Sequence, residues 1–379
     1  MDFSLSEEKK IFQTMVCDFV RWEIEPLAAQ WDEEEKFPYE VIRKMADVGL
    51  CGVGLPEEYG GSGDELSLVI LCEEISRASA GLAVIALVNC GLAAHSIVTH
   101  GDEEQKKSFI PRIVNGAISA FGLTEAMAGS DPAAVKTKYV QKGDSYVING
   151  TKIFITNGAE ADWVVIFANK DRTLGYRGIS AFIVERGTPG FSVGKLEKKM
   201  GIHPSSTAEL IFDDCKVPVG NLIGEEGKGF RISLESIDAS RVAIGAQALG
   251  IAQAAFNAAT DYAREREQFG QVIGKFQAIQ WMIADMATEI DAARMLVYRA
   301  AWLMTKKEPF LKEAAMAKLF ASEVANRVCH KAIQVHGGYG YTKAFAVERY
   351  ARDQRITELY EGTSEMQRWT IARQILGMK

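Results

Sequence analysis

Cysteine is sparse and scattered. Cys17, Cys51, Cys72, Cys90, Cys215 and Cys329 make six in 379 residues, with no CxxC pair among them. Such spacing offers neither a zinc ribbon nor a disulfide framework, and it fits a reducing cytoplasm. Basic excess is missing too: 43 Lys and Arg stand against 50 Asp and Glu, a formal charge of −7. Nucleic acid and anionic membrane surfaces are therefore not the expected partners. The opening "MDFSLSEEKKIF" is acidic and reads as helix, without the basic and apolar regions of an export signal. The expected compartment is a bacterial cytoplasm, or a mitochondrial matrix if a transit peptide has been removed. The longest apolar stretch, "AGLAVIALVNCGLAAHSI", is interrupted by Asn89 and His95. A membrane span needs about 20 predominantly apolar residues, so a buried core helix is predicted there.

Familiar catalytic signatures are also missing. The chain has no GxSxG, HExxH or GxGxxG, and Lys228 in "GEEGKGF" is followed by glycine rather than the Ser or Thr of a P-loop. His330 and His336 are six apart and would not share a helical face, so no catalytic metal is expected. Without a metal or an activated serine, hydrolysis is a poor reading.

What is present falls into three zones. Phe12, Met15, Val16, Phe19 and Val20 trace one helical face, and the chain to about residue 120 is mostly helical by this measure. From 121 to 225 the period shortens. "SYVINGTKIFITN" predicts two strands around an Asn149-Gly150 turn, and "DWVVIFAN", "GISAFIVER", "FSVGKL" and "AELIFDDCKVP" follow with Gly, Pro or Asp breaks. From 226 the helical period returns, with Ile279, Met282, Ile283, Met286, Ile290 and Val297 on a helix of bundle length. The expected fold is an α+β multidomain chain: an α-helical domain over 1–120, a small antiparallel β-sandwich or barrel over 121–225, and a helical domain over 226–379.

Several polar clusters fall at the edges of these zones. "FGLTEAMAGSD" enters the β-zone and "FITNG" ends a strand. Thr124, Ser130 and Thr156 can bind a ligand or merely satisfy their own turns. In "REREQFGQVIGKFQAIQ", Arg266 could hold a phosphate bidentately or lie on a solvated face. Gly337, Gly338 and Gly340 after Gln334 either admit a bulky ligand or end a helix. In "ITELYEGTSEMQR", Ser364 and Gln367 have capping-box spacing, so a helix is predicted to start near Glu365 with Met366, Trp369, Ala372 and Leu376 on its apolar face. Glu361 and Gly362 then stand in the loop before it. An acidic residue there can be a plain helix-start charge.

"YGGSG", "FGLTEAMAGSD", "FITNG", "RxxFG", "QxxGGxGY" and "YEGTS" occur in one order along essentially the whole chain, and this set resembles the acyl-CoA dehydrogenase family of flavoenzymes. The resemblance implies a helical N-terminal domain, a central β-domain and a C-terminal four-helix bundle, assembled as a homotetramer. It implies FAD, an acyl-CoA substrate and an electron-transferring flavoprotein as electron acceptor. By the same resemblance Glu361 is the base that takes the α-proton of the thioester while the β-hydrogen leaves as hydride to the flavin. The implied cofactor contacts are Phe121, Leu123, Thr124, Gly129, Ser130, Phe154 and Thr156 around the ring. Arg266, Gln268, Phe269, Gln277, Gln334, Gly337 and Gly338 would serve the FAD of a neighbouring subunit, with Thr363 and Glu365 from the last loop. Ser130, Asp238, Arg241, Tyr360 and Gly362 are the implied substrate contacts.

Thioester α-carbons are weak acids, so the site must stabilise an enolate. Each donor aimed at the carbonyl oxygen lowers such a barrier by about 3 kcal/mol. The resemblance supplies the backbone N–H of Glu361 and a flavin ribityl hydroxyl. Desolvation would raise the Glu361 pKa and the helix start would lower it. Some members carry the base where this chain has Ser240, leaving Glu361 as the matching carboxylate. Ala126 and Met127 depart from the family's usual Pro and Gly, and Glu365 from its usual Gln. Leu87, Val88, Leu92 and Ile237 hint at a short to medium, or branched or cyclic, acyl chain. The alternatives are the same chemistry run as an enoyl-CoA reductase, an oxidase of the same fold, and a non-catalytic CoA- or flavin-binding scaffold.

Overall fold

The computed structural model describes residues 4–378. Of the opening segment, residues 1–3 lie outside the described residues. Helix α1 (Glu7–Phe19) follows, its Ser6 cap accepting from the Lys9 amide at 3.3 Å. Then come α2 (Glu25–Glu34), α3 (Tyr39–Asp47), α4 (Glu65–Ala78), α5 (Ala80–Leu87), α6 (His95–His100) and α7 (Glu103–Val114). The predicted core helix is there: α5 and α6 join through a π-helical stretch, Val88–Ala94, into one segment from Ala80 to His100. Its most apolar window is 83% buried inside the fold. Asn89, which interrupts the apolar run, is buried and accepts from the Ser119 amide at 2.8 Å, tethering the first strand.

Strands β1 (Ser119–Gly122), β2 (Lys138–Lys142), β3 (Ser145–Thr156), β4 (Trp163–Asn169), β5 (Ile179–Glu185), β6 (Phe191–Leu196), β7 (Thr207–Pro218) and β8 (Leu222–Ile223) form, among the described residues, one eight-stranded sheet in the order β6-β7-β3-β2-β4-β5-β8, with β1 on β4. Two expectations change here. The sheet is mixed, because β1 pairs with β4 in parallel. Asn149-Gly150 is not a hairpin turn: β3 runs straight through it, and the turn from β2 falls earlier, at Gly143-Asp144. A bulge occupies the site instead, since the β3–β7 register slips between Ile148 and Gly150. Only glycine fits there, because a Cβ at Gly150 would stand 2.6 Å from the Thr137 Cα. Strand β4 reads as an unbroken apolar run because both its faces are covered. Trp163, Val165 and Phe167 pack toward the N-terminal helices, and Val164, Ile166 and Ala168 into the curl of the sheet.

The last part holds α8 (Gly229–Glu265), a short hairpin of β9 (Glu267–Gln268) and β10 (Gln271–Val272), then α9 (Gln277–Thr305), α10 (Leu311–His336), α11 (Val347–Gln354) and α12 (Ser364–Leu376). Helices α8, α9 and α10 meet along alanines such as Ala246, Ala252, Ala293, Ala300, Ala317 and Ala321, all fully buried. Small side chains let the helix axes approach closely. The approach is extreme at Gly250, where a Cβ would lie 2.2 Å from the Glu73 carbonyl of α4. Helix α12 departs from expectation at both its cap and its face. Its N-cap is Thr363, whose Oγ1 accepts from the Met366 amide, and Gln367 reaches back to carbonyls rather than to the cap amide. Its buried residues are Ser364, Gln367 and Thr370, while Trp369 and Leu376 are exposed.

Candidate functional site

The loop between α11 and α12 bends through two left-handed residues, Glu361 at φ 53° and Gly362 at φ 88°. A non-glycine residue there carries strain of about 1 kcal/mol and persists only where its surroundings impose it. The surroundings are visible. Gln367 Nε2 donates to the Glu361 carbonyl at 3.1 Å and to the Gly362 carbonyl at 2.8 Å. Lys318 Nζ from α10 donates to the same Gly362 oxygen at 2.7 Å. Tyr360 anchors the loop's start by donating to Gln247 Oε1 on α8, and Gln247 in turn donates to the Ala80 carbonyl at 2.9 Å. A side chain at Gly362 would be strained by the φ of 88° and would push on Gln367 Nε2, 2.8 Å from its Cβ.

The Glu361 carboxyl is enclosed although the residue as a whole is half-buried. Ser240 Oγ, from α8, lies 2.8 Å from Glu361 Oε2 and can donate to it. Burial pushes the carboxyl above the usual carboxylate range; the Ser240 hydroxyl, Arg241 and Lys318 oppose this without cancelling it. Desolvation therefore wins the contest that the residue's neighbourhood in the chain left open. Lys318 is fully buried, and desolvation pushes its ammonium down to about 7 despite nearby Glu361, Glu358 and Glu365. Arg241 is buried beside Asp238, with Nη1 2.8 Å from Oδ1, and its Nε finds no partner among the described residues. Burial raises the Asp238 carboxyl to about 6. Asp238 also lines an open pocket of about 760 Å³ with His95, Glu235, Phe310 and Lys312.

A second cluster gathers where β1 runs into the loop before β2. Ile153 donates its amide to the Thr124 carbonyl at 2.9 Å, which joins "FGLTEAMAGSD" to "FITNG". Here β3 bulges again, between Lys152 and Ile155, and the bulge holds Phe154 at φ 58° with the residue 60% exposed. Thr124 and Thr156 are half-buried nearby in the chain, Leu123 is buried, and Gly129 and Ser130 are exposed. Below them lies a pair that motif reading missed: fully buried Lys152 Nζ donates to Glu125 Oε1 at 2.7 Å and to the Leu123 carbonyl at 3.1 Å. Glu125 also accepts from the Thr137 amide at 3.0 Å. Despite its burial the Glu125 carboxyl is held below its ordinary range by Lys152 and these donors, while burial pushes Lys152 down to about 8. Ala126 and Met127 form the exposed tip between Glu125 and Ala128, whose amides and carbonyls exchange hydrogen bonds.

These two clusters share one core. Tyr360, Ile237 and Phe121 are half-buried against the group that contains Leu87, Val88 and Leu92. The third cluster lies apart. Arg266, Gln268, Gly337 and Gly338 line an open pocket of about 450 Å³ that Glu361, Thr124 and Thr156 do not line. Arg266 sits over the Tyr339 ring, 5.7 Å from its centre. The turn from β9 to β10 has positive φ at both Phe269 and Gly270, and holds Phe269 out at 92% exposure. Gln277 and Gln334 are exposed, as is Glu365, whose carboxyl the Thr363 hydroxyl lowers.

Three models of the acyl-CoA dehydrogenase family match this chain: the N-terminal domain over residues 6–117, the middle domain over 120–215 and the C-terminal domain over 227–376. The chain is similar to the short-chain-specific acyl-CoA dehydrogenase of Clostridium acetobutylicum, at 51% identity over 99% of this chain and 100% of that protein. It is 49% identical to an acryloyl-CoA reductase (NADH) of Anaerotignum propionicum, over 99% of this chain and 96% of that one. A chain solved in work on the electron transferring flavoprotein of Acidaminococcus fermentans and flavin-based electron bifurcation superposes with a TM-score of 0.98 at 48% identity, covering 99% of this chain and 100% of that one. With its helical, β and helical parts matched in order and over nearly their whole length, the chain belongs to the acyl-CoA dehydrogenase family of enzymes.

Proposed function

We propose that this protein oxidises a short-chain acyl-CoA thioester to the trans-2-enoyl-CoA, with Glu361 as the base and FAD as the cofactor. One observation carries the reading: an enclosed carboxyl of raised pKa, held by Ser240 on a constrained left-handed turn and sharing a core with Phe121 of the second cluster. A raised pKa suits a base that must take a proton from carbon near neutral pH. Ser240 donates to one carboxyl oxygen, which orients Glu361 and leaves the other oxygen for the substrate. The Glu361 amide is the proposed donor to the thioester carbonyl. Arg241, with its orphaned Nε, and Asp238 are placed to meet the CoA arm.

The residues present fit FAD. Thr124, Thr156 and the outward Phe154 offer hydroxyls and a flat face to a ring. Gly337 and Gly338, with nothing within 4 Å of an added Cβ, leave room beside Arg266 for the phosphate-bearing arm of a neighbouring copy's FAD. With its ring held at Thr124 and Thr156, the flavin would accept the hydride equivalent from the β-carbon. Phe269 and the exposed Trp281, Trp302, Trp369 and Leu376 support assembly with further copies, proposed to be a homotetramer in which Arg266, Gln268, Phe269, Gln277, Gln334, Gly337 and Gly338 serve a neighbour's FAD. An electron-transferring flavoprotein is the proposed electron acceptor. Anaerobic bleaching of the yellow protein by a panel of straight, branched and cyclic acyl-CoAs tests the reaction, and a flavin left oxidised by all of them overturns it. The 49% identity to an acryloyl-CoA reductase favours one second reading, the same site working as an enoyl-CoA reductase. Faster turnover from enoyl-CoA with reduced electron carrier than from acyl-CoA decides for it.

A further inference from the structure

Burying a lysine with no carboxylate in bonding range is costly, so its presence calls for a use. Lys318 is fully buried on α10, and among the described residues its hydrogen bond goes to a neutral main-chain oxygen, that of Gly362. Gln367 donates to the same oxygen from the opposite element, α12, and also to the Glu361 carbonyl. Both carbonyls after the reactive carboxylate are thus fixed, one of them by two donors. Ser240 fixes the carboxylate from a third element, α8. Around Lys318 the charged groups are Glu361 on the loop, Glu358 on the turn before it, Glu365 at the start of α12 and Arg241 on α8, which is itself paired with Asp238.

We infer that Lys318 is a positioning residue for the proposed reaction: with Gln367 it locks the Glu361-Gly362 turn in its left-handed form, and its charge, when present, favours the Glu361 carboxylate. The inference rests on Glu361 being the base. Lys318 performs two separable tasks and Gln367 only the first, which makes them distinguishable. A residue that merely packed α10 against the loop would affect stability alone.

The test compares Lys318→Met and Gln367→Met in the flavin-loaded protein, reading kcat, KM, flavin content and the infrared titration of the Glu361 carboxyl against Glu361→Gln. The cation lowers the pKa of Glu361, so removing it moves that titration upward. Lys318→Met is also expected to lower kcat about 10- to 100-fold, as misplaced reacting groups do, with KM changed less than about threefold. Gln367→Met is expected to lower kcat similarly with the titration unmoved. A carboxyl that titrates in Lys318→Met where it does in the unaltered protein overturns the inference. If Lys318→Met does not fold, Gln367→Met decides: a lowered kcat at constant KM supports the lock, and an unchanged kcat overturns it. Failure of the proposed reaction itself shows differently, as an unbleached flavin or turnover surviving Glu361→Gln, and the infrared titration still reports on the Lys318 charge.

Discussion

Among the described residues two lysines are fully buried, and they are used in opposite ways. Lys152 meets a carboxylate at 2.7 Å and a carbonyl at 3.1 Å, and its Glu125 partner also takes main-chain donors. Lys318 meets a carbonyl at 2.7 Å and no carboxylate within ion-pair range among the described residues. The first arrangement neutralises its charge and ties β3 to the loop that opens the β-part. The second leaves its charge without a bonded carboxylate near Glu361, and raises the potential where the proposed base has to be both ionised and basic. A closed pair gives rigidity; an open one gives a tuned neighbour.

The sharpest way to break this contrast is at the carboxylate itself. Glu361→Gln should lower turnover about 10²- to 10⁴-fold, the usual worth of a positioned base, while flavin content and melting temperature stay put. Stopped-flow reduction with an acyl-CoA checks it, and turnover retained in the variant removes Glu361 from the mechanism. Next in size is the closed pair. Lys152→Met leaves Glu125 buried with its counter-charge gone and should destabilise the protein by about 3–5 kcal/mol, whereas Lys152→Met with Glu125→Leu should recover much of the loss. Denaturant melts of the two variants decide, and equal stabilities would mean that the pair does not behave as a unit.

The pH dependence sharpens the same contrast. Glu125 is held below its ordinary pKa, so its contribution to stability is present above the unfolded value of 4.5 and is lost as pH falls through the folded pKa. Glu361 is displaced the other way. Since the base acts only when ionised, kcat should fall on acidification at a pH above 4.5, while stability from Glu125 is still intact. Activity should therefore fail before the fold does as the solution is made acid. Coincident loss of turnover and of circular dichroism would contradict the assignment of the two carboxyls.

Much of this was legible in the sequence, for physical reasons that also mark its limits. Period alone separates helices from strands, because "FQAIQWMIADMATEIDAARM" must bury one stripe and "WVVIFAN" two faces. Glu361, the proposed base, is singled out by its motif. Lys152 and Lys318 were missed because their partners lie 27 and 44 positions away along the chain. A signal existed: one charge inside the apolar strand "TKIFIT", and one inside the alanine-rich "EAAMAKLFASEVA", where neighbouring small side chains leave room for a buried stem. The Asn149-Gly150 turn failed because a Gly143-Asp144 turn stood six residues upstream. The α12 face failed because its inner side carries polar residues that hold the site, and its apolar side faces outward.

The smallest expected effect tests how finely the open arrangement is tuned. Ser240 Oγ lies 2.8 Å from Glu361 Oε2 and 2.9 Å from the Ile237 carbonyl, and its single proton can serve only one of them at a time. Hydrogen bonding to the ionised carboxyl favours that form, so Ser240→Ala should move the acidic limb of the kcat profile upward. The shift should be at least as large as that of Lys318→Met, because the directly bonded hydroxyl opposes burial more strongly than the more distant ammonium does. Turnover at high pH, where Glu361 is ionised in either protein, should fall by about tenfold, since a bond from a shared hydroxyl to a charged group belongs at the low end of that class, about 1.5 kcal/mol. A Ser240→Ala limb that stays where it is in the unaltered protein would show that the buried ammonium, and not the hydroxyl, sets the base.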